Sequence, residues 1–458
     1  MELSENKMGT MPIRRLIIHM SWPMMLSMLV QALYNMADSF YVSLIDDKAF
    51  IALSLAYPVQ MMMIAICVGT GVGVNAMLSR RLGENRLGEA NAVAMNGFLV
   101  YFLSWVFFLI FGLTVGPHFV GWFNSDPTVA LYGSQYLTIV CSLSIGACMQ
   151  FACERVLQAS GDAISPMIIQ GVGAVINIVL DPILIFGWLG FPAMGVTGAA
   201  IATVFGQIVG AVVGLIIAKR NKLLTLQVRG FRPSAATIGD IYRIGGPAIV
   251  MQSLGTVMTM GLNKIMTLPR MVSQLGDAPV FILGAYFKLQ SFVFMPVFGM
   301  NNGLTPVLSY NYGAKERKRI TDGIHFALAV ALGIMAVGTL LFFLIPGPLM
   351  AIFSAPPEVL SQGVSALRIV ACSFLFAGVS IIFSAAFQAL GTPMYSLIIS
   401  LMRQLVIVLP AALFLSFLAP ELIWWCLPAA EAFSCVVALF LYKKVHHEHI
   451  MPLEEAQI

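Results

Sequence analysis

The sequence predicts an all-α integral membrane protein of twelve transmembrane helices, divided into two pseudo-symmetric lobes of six helices each. Its 458 residues are 59% hydrophobic and only 10% charged, whereas soluble domains carry about 25% charged residues. A water-soluble fold needs more polar groups than this to cover its surface. The number of long apolar runs predicts the number of helices, and motifs that repeat at a constant distance along the chain predict the two lobes.

Twelve apolar runs are long enough to cross a bilayer, for which a helix needs about 20 residues. Because these runs are continuously apolar rather than alternating, they predict helices and not the strands of a barrel. The predicted spans cover residues 14–44, 52–79, 91–116, 130–156, 164–188, 194–219, 241–268, 279–310, 320–345, 360–389, 395–418 and 423–445.

Positively charged residues predict the orientation of these spans. With both termini on one side of the membrane, most Lys and Arg residues of the loops fall on that side, and the opposite side has only Lys48, Lys264 and Arg270. Cytoplasmic loops are the ones enriched in Lys and Arg. We therefore expect both termini in the cytoplasm, and the polar N-terminus does not have the pattern of a cleaved signal peptide.

An internal repeat divides the chain into halves. Two motifs recur 230 residues later: Leu78-Ser79-x-x-x-Gly83 as Leu308-Ser309-x-x-x-Gly313, and Gln158-Ala159-x-Gly161 as Gln388-Ala389-x-Gly391. Six spans per half is an even number, so both halves insert with the same orientation, as in the parallel repeats of some transporters. The predicted division is a first lobe at 1–219, a cytoplasmic linker at 220–240 and a second lobe at 241–458. Two facing lobes favour a transporter.

Two acids, Asp38 and Asp181, lie within predicted spans. A carboxylate at the centre of a membrane helix costs about 2.5–3.5 kcal/mol, so each acid needs a partner or a function. The side chains at helical spacing on the same faces are also polar, and a similar stripe follows in the next span. These neighbours are Gln31, Tyr34 and Asn35 for Asp38, Asn177 for Asp181, and the stripe of Ala199, Thr203 and Gln207.

The oxygen atoms of these side chains suit a hard cation. Carboxylate, amide and hydroxyl oxygens, with the carbonyl that Pro182 frees one turn back, suit Na⁺, and two nearby acids can instead share a proton. The candidate metal ligands are Asp38, Asn177, Asp181 and Thr203. The alternative is that each acid only hydrogen-bonds a neighbouring helix. Alignment of the halves places Leu262 opposite Asp38 and Leu409 opposite Asp181, so we expect one cation site, in the first lobe.

Other residues predict a substrate cavity with apolar and aromatic walls. Flexible methionines suit a cavity that repacks around varied ligands, and aromatic rings stack on flat cations. The candidates are Gln31, Met62, Phe151, Met251, Gln252 and Lys288, with Tyr34 and Tyr136 as further stacking rings. Lys288 has an equal alternative as a lysine that reaches the outer interface or pairs within the second lobe.

The remaining intramembrane charges receive other interpretations. At Glu154-Arg155, at the cytoplasmic end of the fourth span, we expect an ion pair with another helix rather than a role in coupling. Arg368 and Arg403 are interpreted as interfacial or packing residues, and Glu431 has no assigned partner. The seven cysteines lack metal-ligand spacing, so they are interpreted as small hydrophobic residues.

The sequence has no motif for catalysis or for a cofactor. It lacks a nucleophile–base pair, an HExxH motif and a phosphate-binding loop, so we expect neither an enzyme nor an ATP-driven pump. A net charge of +4 does not indicate a nucleic-acid partner.

Several motifs together resemble the multidrug and toxic compound extrusion (MATE) family along essentially the whole chain. They are the early Pro23 and the segments Leu78-Ser-Arg-Arg-Leu-Gly83, Gln158-Ala-Ser-Gly161, Asn177-Ile-Val-Leu-Asp181-Pro182, Gly198-Ala-Ala-Ile-Ala-Thr203, Asn311-Tyr-Gly-Ala314 and Gln388-Ala-Leu-Gly391.

The resemblance implies an antiporter of the bacterial inner (plasma) membrane that exports amphipathic, often cationic drugs in exchange for Na⁺ or H⁺. It implies cation ligands at Asp38, Asn177, Asp181 and Thr203, with a backbone oxygen at Ala199 and Tyr136 beside them. We expect a monomer whose partners are small molecules and the lipid bilayer. The alternatives are a flippase for lipid-linked oligosaccharides of the same superfamily and, in a different class, a membrane-embedded ligand-binding protein.

Overall fold

A computed structural model describes residues 6–221, 223–224, 231–353 and 357–453. Within these ranges the chain is helical, with no β-strand. The main helices are α1 (Ile13–Ser43), α2 (Asp47–Gly83), α3 (Leu87–Thr114), α4 (Pro127–Ser142), α5 (Ile145–Ala159), α6 (Ile164–Phe186), α7 (Val196–Lys219), α8 (Ala235–Met266), α9 (Ala278–Gly313), α10 (Arg317–Leu344), α11 (Pro357–Ala371), α12 (Phe374–Ala389), α13 (Pro393–Leu401), α14 (Val408–Leu418) and α15 (Cys426–Val445).

Shorter helical segments connect or extend these helices. A π-helical turn, Met402–Val406, joins α13 to α14, and a second π-helical turn, His446–Ile450, follows α15. The other short segments are Lys7–Thr10, Gly116–Phe119, Val120–Trp122, Trp188–Gly190, Pro269–Leu275, Pro346–Ala351 and Pro420–Trp425. Residues 222 and 225–230 of the predicted linker, and the extreme termini, lie outside the described residues.

The helices confirm a multi-pass membrane protein. By length and apolar composition, nine helical segments of the described chain are able to span a membrane, or eleven if each of two bent pairs counts as one span. Each predicted span overlaps one of these segments, except that the seventh is α8, a helix of 32 residues that is not among them. The twelve-helix prediction is consistent with this arrangement.

Both bent pairs, α4 with α5 and α11 with α12, turn by 44° at a break of two residues. A serine lies at each break and its hydroxyl donates to a carbonyl three residues back, Ser144 to Cys141 at 2.8 Å and Ser373 to Val370 at 2.6 Å. Such local hydrogen bonds compete with the helical ladder and bend the chain.

The chain forms two compact units. The first unit comprises Met1–Lys7 and Leu26–Ile249, and the second comprises Met8–Met25 and Val250–Ile458. The change of unit therefore falls inside α1 and inside α8, in each case two residues after a helix-interior proline, Pro23 or Pro247.

Glycines let the N-terminal half of each divided helix pack closely within its unit. In the first unit a Cβ on Gly69 of α2 would lie 2.5 Å from the backbone nitrogen of Ile249. In the second unit a Cβ on Gly299 of α9 would lie 2.6 Å from the backbone nitrogen of Met25. Gly69 and Gly299 are separated by the same 230 residues as the repeated motifs, so the repeat marks equivalent helix contacts.

The repeated loop motifs adopt equivalent conformations in both halves. Ser79 donates a hydrogen bond to the carbonyl of Ala159 at 3.2 Å, and Ser309 donates to Ala389 at 3.1 Å. The motif glycines have positive φ angles, +93° at Gly161 and +80° at Gly391, a region that side chains disfavour. The internal repeat read from the sequence is therefore present in the structure.

Candidate functional site

Two helices of the first unit, α6 and α7, approach each other closely enough to bring their polar side chains together. Glycines occupy the crossing, since a Cβ on Gly206 would lie 2.6 Å from the carbonyl oxygen of Gly173. One turn from this crossing, Asn177 on α6 faces Thr203 on α7. Asp181 follows Asn177 at helical spacing and is fully buried.

The amide of Asn177 connects Asp181 to Thr203. One terminal atom of this amide lies 3.1 Å from Asp181 Oδ2, and the other lies 3.2 Å from Thr203 Oγ1. The Thr203 hydroxyl also lies 3.0 Å from the carbonyl oxygen of Ala199, to which it can donate. The four residues form one continuous hydrogen-bonded chain.

The two carboxylates of the site each keep an oxygen available. Asp181 Oδ1 and Asp38 Oδ1 are buried and have no hydrogen-bond partner among the residues that the structure describes. The two acids are close enough to interact electrostatically, and Tyr34 interacts with both. Tyr136 also lies near Asp38, and its hydroxyl accepts a hydrogen bond of 2.6 Å from the Gln60 amide.

These oxygens meet the chemical requirement of a hard monovalent cation. Two carboxylates, an amide oxygen, a hydroxyl and a carbonyl are ligands that Na⁺ accepts, and either carboxylate can take a proton instead. Within the described part of the chain, no group of three or more His, Cys, Asp or Glu residues could hold a metal ion. The site therefore differs from a multi-acid or histidine-rich metal centre.

A polar cavity of about 80 Å³ adjoins this cluster within the first unit. Its walls come from α1, α5, α6 and α7, and Gln170 bridges α6 to Gln31 of α1 by a hydrogen bond of 3.0 Å. The lining residues are Gln31, Tyr34, Ala147, Gln150, Phe151, Glu154, Gln170, Gly173, Ala174, Asn177, Thr203 and Gln207.

The structure brings together most of the site residues predicted in the first lobe. The predicted cation ligands and Tyr34, Tyr136 and Gln207 lie in or beside the cluster, and Gln31 and Phe151 line the cavity. Other candidates lie outside the lining of this cavity: Asn35 and Met62 are exposed residues of the first unit, and Met251, Gln252 and Lys288 belong to the second unit.

The inter-helix ion pair predicted at Glu154-Arg155 is wrong for the described chain, in which neither residue forms a salt bridge and the two side chains have different surroundings. Glu154 accepts a hydrogen bond of 3.0 Å from Gln150 and faces the cavity. Arg155 donates to Gln158 at 2.9 Å and packs over Gly71. The cavity face of α5 consists of Ala147, Gln150, Phe151 and Glu154, whose helical spacing is the signal that could have indicated it.

A second buried acid lies in the second unit and is paired. Arg403, in the π-helical turn, donates to Glu431 Oε1 from Nη2 at 2.7 Å and from Nε at 3.0 Å. Both side chains are 12% exposed. The pairing gives Glu431 the partner that the sequence left unassigned, and it agrees with the interpretation of Arg403 as a packing residue.

Two further cations of the second unit have partners within it. The Lys288 ammonium lies 5.9 Å from the centre of the Phe353 ring, and Arg368 donates to the carbonyl of Phe343 at 3.3 Å. Within the described chain the seven cysteines are free thiols, and six of them are buried.

The fold defines a multi-pass membrane protein with a buried polar cluster in its first unit. The family model described as MatE matches residues 23–183 and 247–414, which together make up most of the chain. The chain therefore belongs to the MatE family.

Named relatives and solved structures agree with this assignment over nearly the whole chain. The FAD transporter of Shewanella oneidensis is 27% identical, over 88% of this chain and 88% of that protein. The multidrug export protein MepA of Staphylococcus haemolyticus is 26% identical, over 94% of this chain and 93% of that protein. A multidrug resistance MATE family transporter of the MOP superfamily, in an outward-facing conformation, superimposes with a TM-score of 0.89 at 24% identity, over 97% of this chain and 98% of that structure.

Proposed function

We propose that this chain exports amphipathic, cationic small molecules across the bacterial plasma membrane in antiport with H⁺ or Na⁺, as a monomer with both termini in the cytoplasm. The observation that carries this proposal is the buried cluster of Asp38, Asn177, Asp181 and Thr203, in which two carboxylate oxygens lack a partner within the part of the chain that the structure describes. Intramembrane acids without a basic partner mark ion pathways by default.

Binding of a cation would remove an electrostatic conflict in this cluster. Two ionised carboxylates repel each other in a poorly solvated site, and a proton or Na⁺ neutralises one charge. The Asn177 amide suits an ionised Asp181, because in the orientation that satisfies both of its terminal atoms the nitrogen donates to Asp181 Oδ2 at 3.1 Å and the oxygen accepts from the Thr203 backbone N–H at 3.1 Å. An ionised Asp181 accepts from the amide nitrogen, whereas a protonated Asp181 donates to the amide oxygen.

Protonation of Asp181 offers a route from cation binding to helix packing. If the Asn177 amide turns to present its oxygen to a protonated Asp181, its nitrogen faces the backbone N–H of Thr203, so two donors meet and the contact between α6 and α7 must rearrange. A cation that binds one arrangement more tightly shifts the population towards it, and by linkage the substrate affinity changes as well. Such reciprocal coupling is what an antiporter requires.

The cavity supports cationic rather than anionic cargo. Its described lining includes one carboxylic acid, Glu154, and two aromatic rings, Tyr34 and Phe151, but no Lys or Arg. Aromatic faces and carboxylates attract organic cations. Lipid-linked oligosaccharides and dinucleotides carry phosphate groups, for which this lining offers no basic partner. The volume of about 80 Å³ is below the roughly 300–1,000 Å³ of drug-sized sites, so the cavity must widen to admit substrate.

Transport by the purified protein in proteoliposomes tests the proposal. A fluorescent organic cation is followed while an Na⁺ gradient or a pH gradient is imposed separately. We expect uphill movement of the dye with one gradient and none without a gradient. Binding of the dye without any gradient-driven movement would instead indicate a membrane-embedded binding protein. Movement of a lipid-linked oligosaccharide but not of the dye would indicate a flippase.

A further inference from the structure

We propose that a basic pocket in the second unit binds the phosphate group of an anionic phospholipid. The walls of this pocket come from α10, the end of α15 and the π-helical turn that follows α15. The lining residues are His325, Tyr442, Lys443, His446, His447 and Met451. The pocket has a volume of about 330 Å³, within the roughly 300–1,000 Å³ of ligand sites. This site is independent of the proposed antiport, because it shares no residue with the cluster or the cavity of the first unit.

The π-helical turn gathers the lining residues on one side of the chain. Tyr442 with His446, and Lys443 with His447, are four residues apart, so each pair shares a helix face. The turn is closed by the backbone N–H of Met451, which donates to the carbonyl of His446 at 2.8 Å, five residues back. This wider turn adds Met451 to the wall that His446 forms, and π-helical turns of this kind are frequent at functional sites.

The pocket has an excess of positive charge. Its described lining includes the basic side chains of His325, Lys443, His446 and His447, and no Asp or Glu. Arg317, at the beginning of α10, also interacts electrostatically with His446. Among the described residues, neither Lys443 nor Arg317 forms a salt bridge. Clustered like charges repel, and a phosphate group would offset that repulsion and accept charge-assisted hydrogen bonds.

The pocket lies where two membrane-spanning helices leave the apolar part of the bilayer. The uncharged part of α10 begins at Phe326, directly after His325, and continues to Leu344. At the end of α15 the apolar residues stop at Tyr442, and Lys443 follows. Both helices are long and apolar enough to span a membrane. In the orientation proposed above this end faces the cytoplasm, where basic pockets between membrane helices bind anionic headgroups.

The apolar walls of the pocket favour a lipid over a soluble anion. The Tyr442 ring stacks on Phe383 of α12, with 4.4 Å between ring centroids and 15° between ring planes. Met451 is exposed beside the basic residues. Such surface gains free energy by covering the glycerol and acyl carbons of a lipid, whereas inorganic phosphate has no apolar part to contribute.

The histidines of the pocket are not arranged as a metal site. Within the described chain, no group of three or more His, Cys, Asp or Glu residues could hold a metal ion. The pocket combines a lysine with the histidines, and the ammonium of a lysine is a phosphate-binding group. The phosphate of a lipid therefore fits this pocket better than a cation does.

Lipid binding to the purified full-length protein tests the site. Native mass spectrometry in a neutral detergent measures the affinity for phosphatidylglycerol and for phosphatidylcholine with the same acyl chains. We expect tighter binding of the anionic lipid. Lys443→Gln should weaken it by about fivefold, the usual contribution of one lysine near an anionic membrane surface. His325→Gln should also weaken it, from the other helix. Both side chains are exposed, so these variants should fold.

Lys444→Gln is the matched control. It removes the same charge from the next residue of α15, but the Lys444 ammonium lies 5.6 Å from the centre of the Tyr395 ring and does not line the pocket. This variant should bind phosphatidylglycerol like the wild type. Equal losses for Lys443→Gln and Lys444→Gln, or equal affinities of the wild type for the two lipids, would overturn the site. Displacement of the lipid by millimolar inorganic phosphate at constant ionic strength would assign the pocket to a soluble anion instead.

Discussion

The two buried acid sites of this molecule handle the same electrostatic problem differently. In the first unit, Asp38 and Asp181 each keep a carboxylate oxygen without a partner among the described residues. In the second unit, Glu431 is joined to Arg403 at 2.7 Å. A carboxylate in a poorly solvated interior needs a compensating charge. Arg403, as part of the chain, supplies that charge permanently in the second unit. The site in the first unit depends instead on a cation that can dissociate.

This difference indicates which acids can exchange a cation. The Glu431 pair is neutral without any external ion, so its state does not have to change during a transport cycle. The Asp38 and Asp181 pair becomes balanced only when a proton or Na⁺ binds. The first unit would then provide the exchangeable site, and the second unit a fixed packing contact.

The largest effect is expected from breaking the fixed pair. Arg403→Gln leaves Glu431 buried without its cation, a change that typically costs about 3–5 kcal/mol. We therefore expect a marked loss of thermal stability in detergent, measured by the unfolding midpoint of the purified protein. A double variant, Arg403→Met with Glu431→Leu, removes both charges and should regain most of this stability.

The double variant also sharpens the comparison between the sites. If Arg403 and Glu431 serve only packing, the double variant keeps gradient-driven dye transport. Loss of coupling in a stable double variant would show that the second unit also carries an exchangeable charge, and the contrast between the two sites would fail.

The exchangeable site should respond in transport rather than in stability. Asp181→Asn removes the ionisable group but retains the shape, so we expect coupled dye transport to fall by roughly 5- to 150-fold, the range of typical coupling energies. The unfolding midpoint should change little. The matched control is Leu409→Met, a volume-conserving change at the aligned position of the second half. Retained uphill transport in an Asp38→Asn, Asp181→Asn double variant would contradict the proposed site.

Helical spacing explains why the first site could be predicted from sequence. Asn177 with Asp181, and Ala199 with Thr203, are four residues apart, so each pair shares a helix face wherever the helices pack. The crossing of α6 and α7 at Gly173 and Gly206 then joins the two faces. Likewise, the constant offset of the repeated motifs was sufficient to predict the equivalent loops that contain Gly161 and Gly391.

Other features depend on tertiary packing that the sequence does not express. Arg403 and Glu431 are far apart along the chain, and the π-helical turn shifts the face on which Arg403 lies. Glu154 and Arg155 are adjacent on α5, and packing against Gly71 determines which of the two side chains faces the cavity. A Cβ on Gly71 would lie 2.7 Å from Arg155 Cγ, so this glycine accommodates the arginine and leaves Glu154 facing the cavity.

The glycine contacts test whether the two halves are equivalent in packing although they differ in charge. Gly69→Ala and Gly299→Ala, at matching positions of the repeat, each place a Cβ within 3 Å of backbone atoms, and overpacking of this kind typically costs about 1–3 kcal/mol. We expect similar losses of thermal stability for the two variants. Gly171→Ala and Gly333→Ala, where no atom lies within 4 Å of the added Cβ, are the controls. A loss confined to one half would contradict structural equivalence.

The smallest expected effect comes from the matching loops after α2 and α9. In the first half, Arg80 and Arg81 hydrogen-bond the Glu84 carboxylate at 3.1 and 2.8 Å. Burial raises the pKa of Glu84, but these hydrogen bonds outweigh it and hold the pKa below its usual value. In the second half, Arg319 instead donates to the neutral carbonyl oxygens of Met8 and Met11 at 2.8 and 3.0 Å.

The two loops should therefore differ in their dependence on pH. A lowered pKa in the folded state adds stability above the unfolded pKa of about 4.3 and loses it as the pH falls through the folded value. Glu84→Gln should cost about 0.2–1 kcal/mol at pH 7, as for a surface ion pair, and the cost should shrink towards zero as the pH is lowered below 4. Arg319→Gln should cost a similar amount at both pH values, because arginine stays charged and its carbonyl acceptors do not titrate. Thermal unfolding of both variants and the wild type at pH 7 and below pH 4 measures this difference. If Glu84→Gln lowered the stability by the same amount at both pH values, the Glu84 carboxylate would contribute no ion pair to the fold.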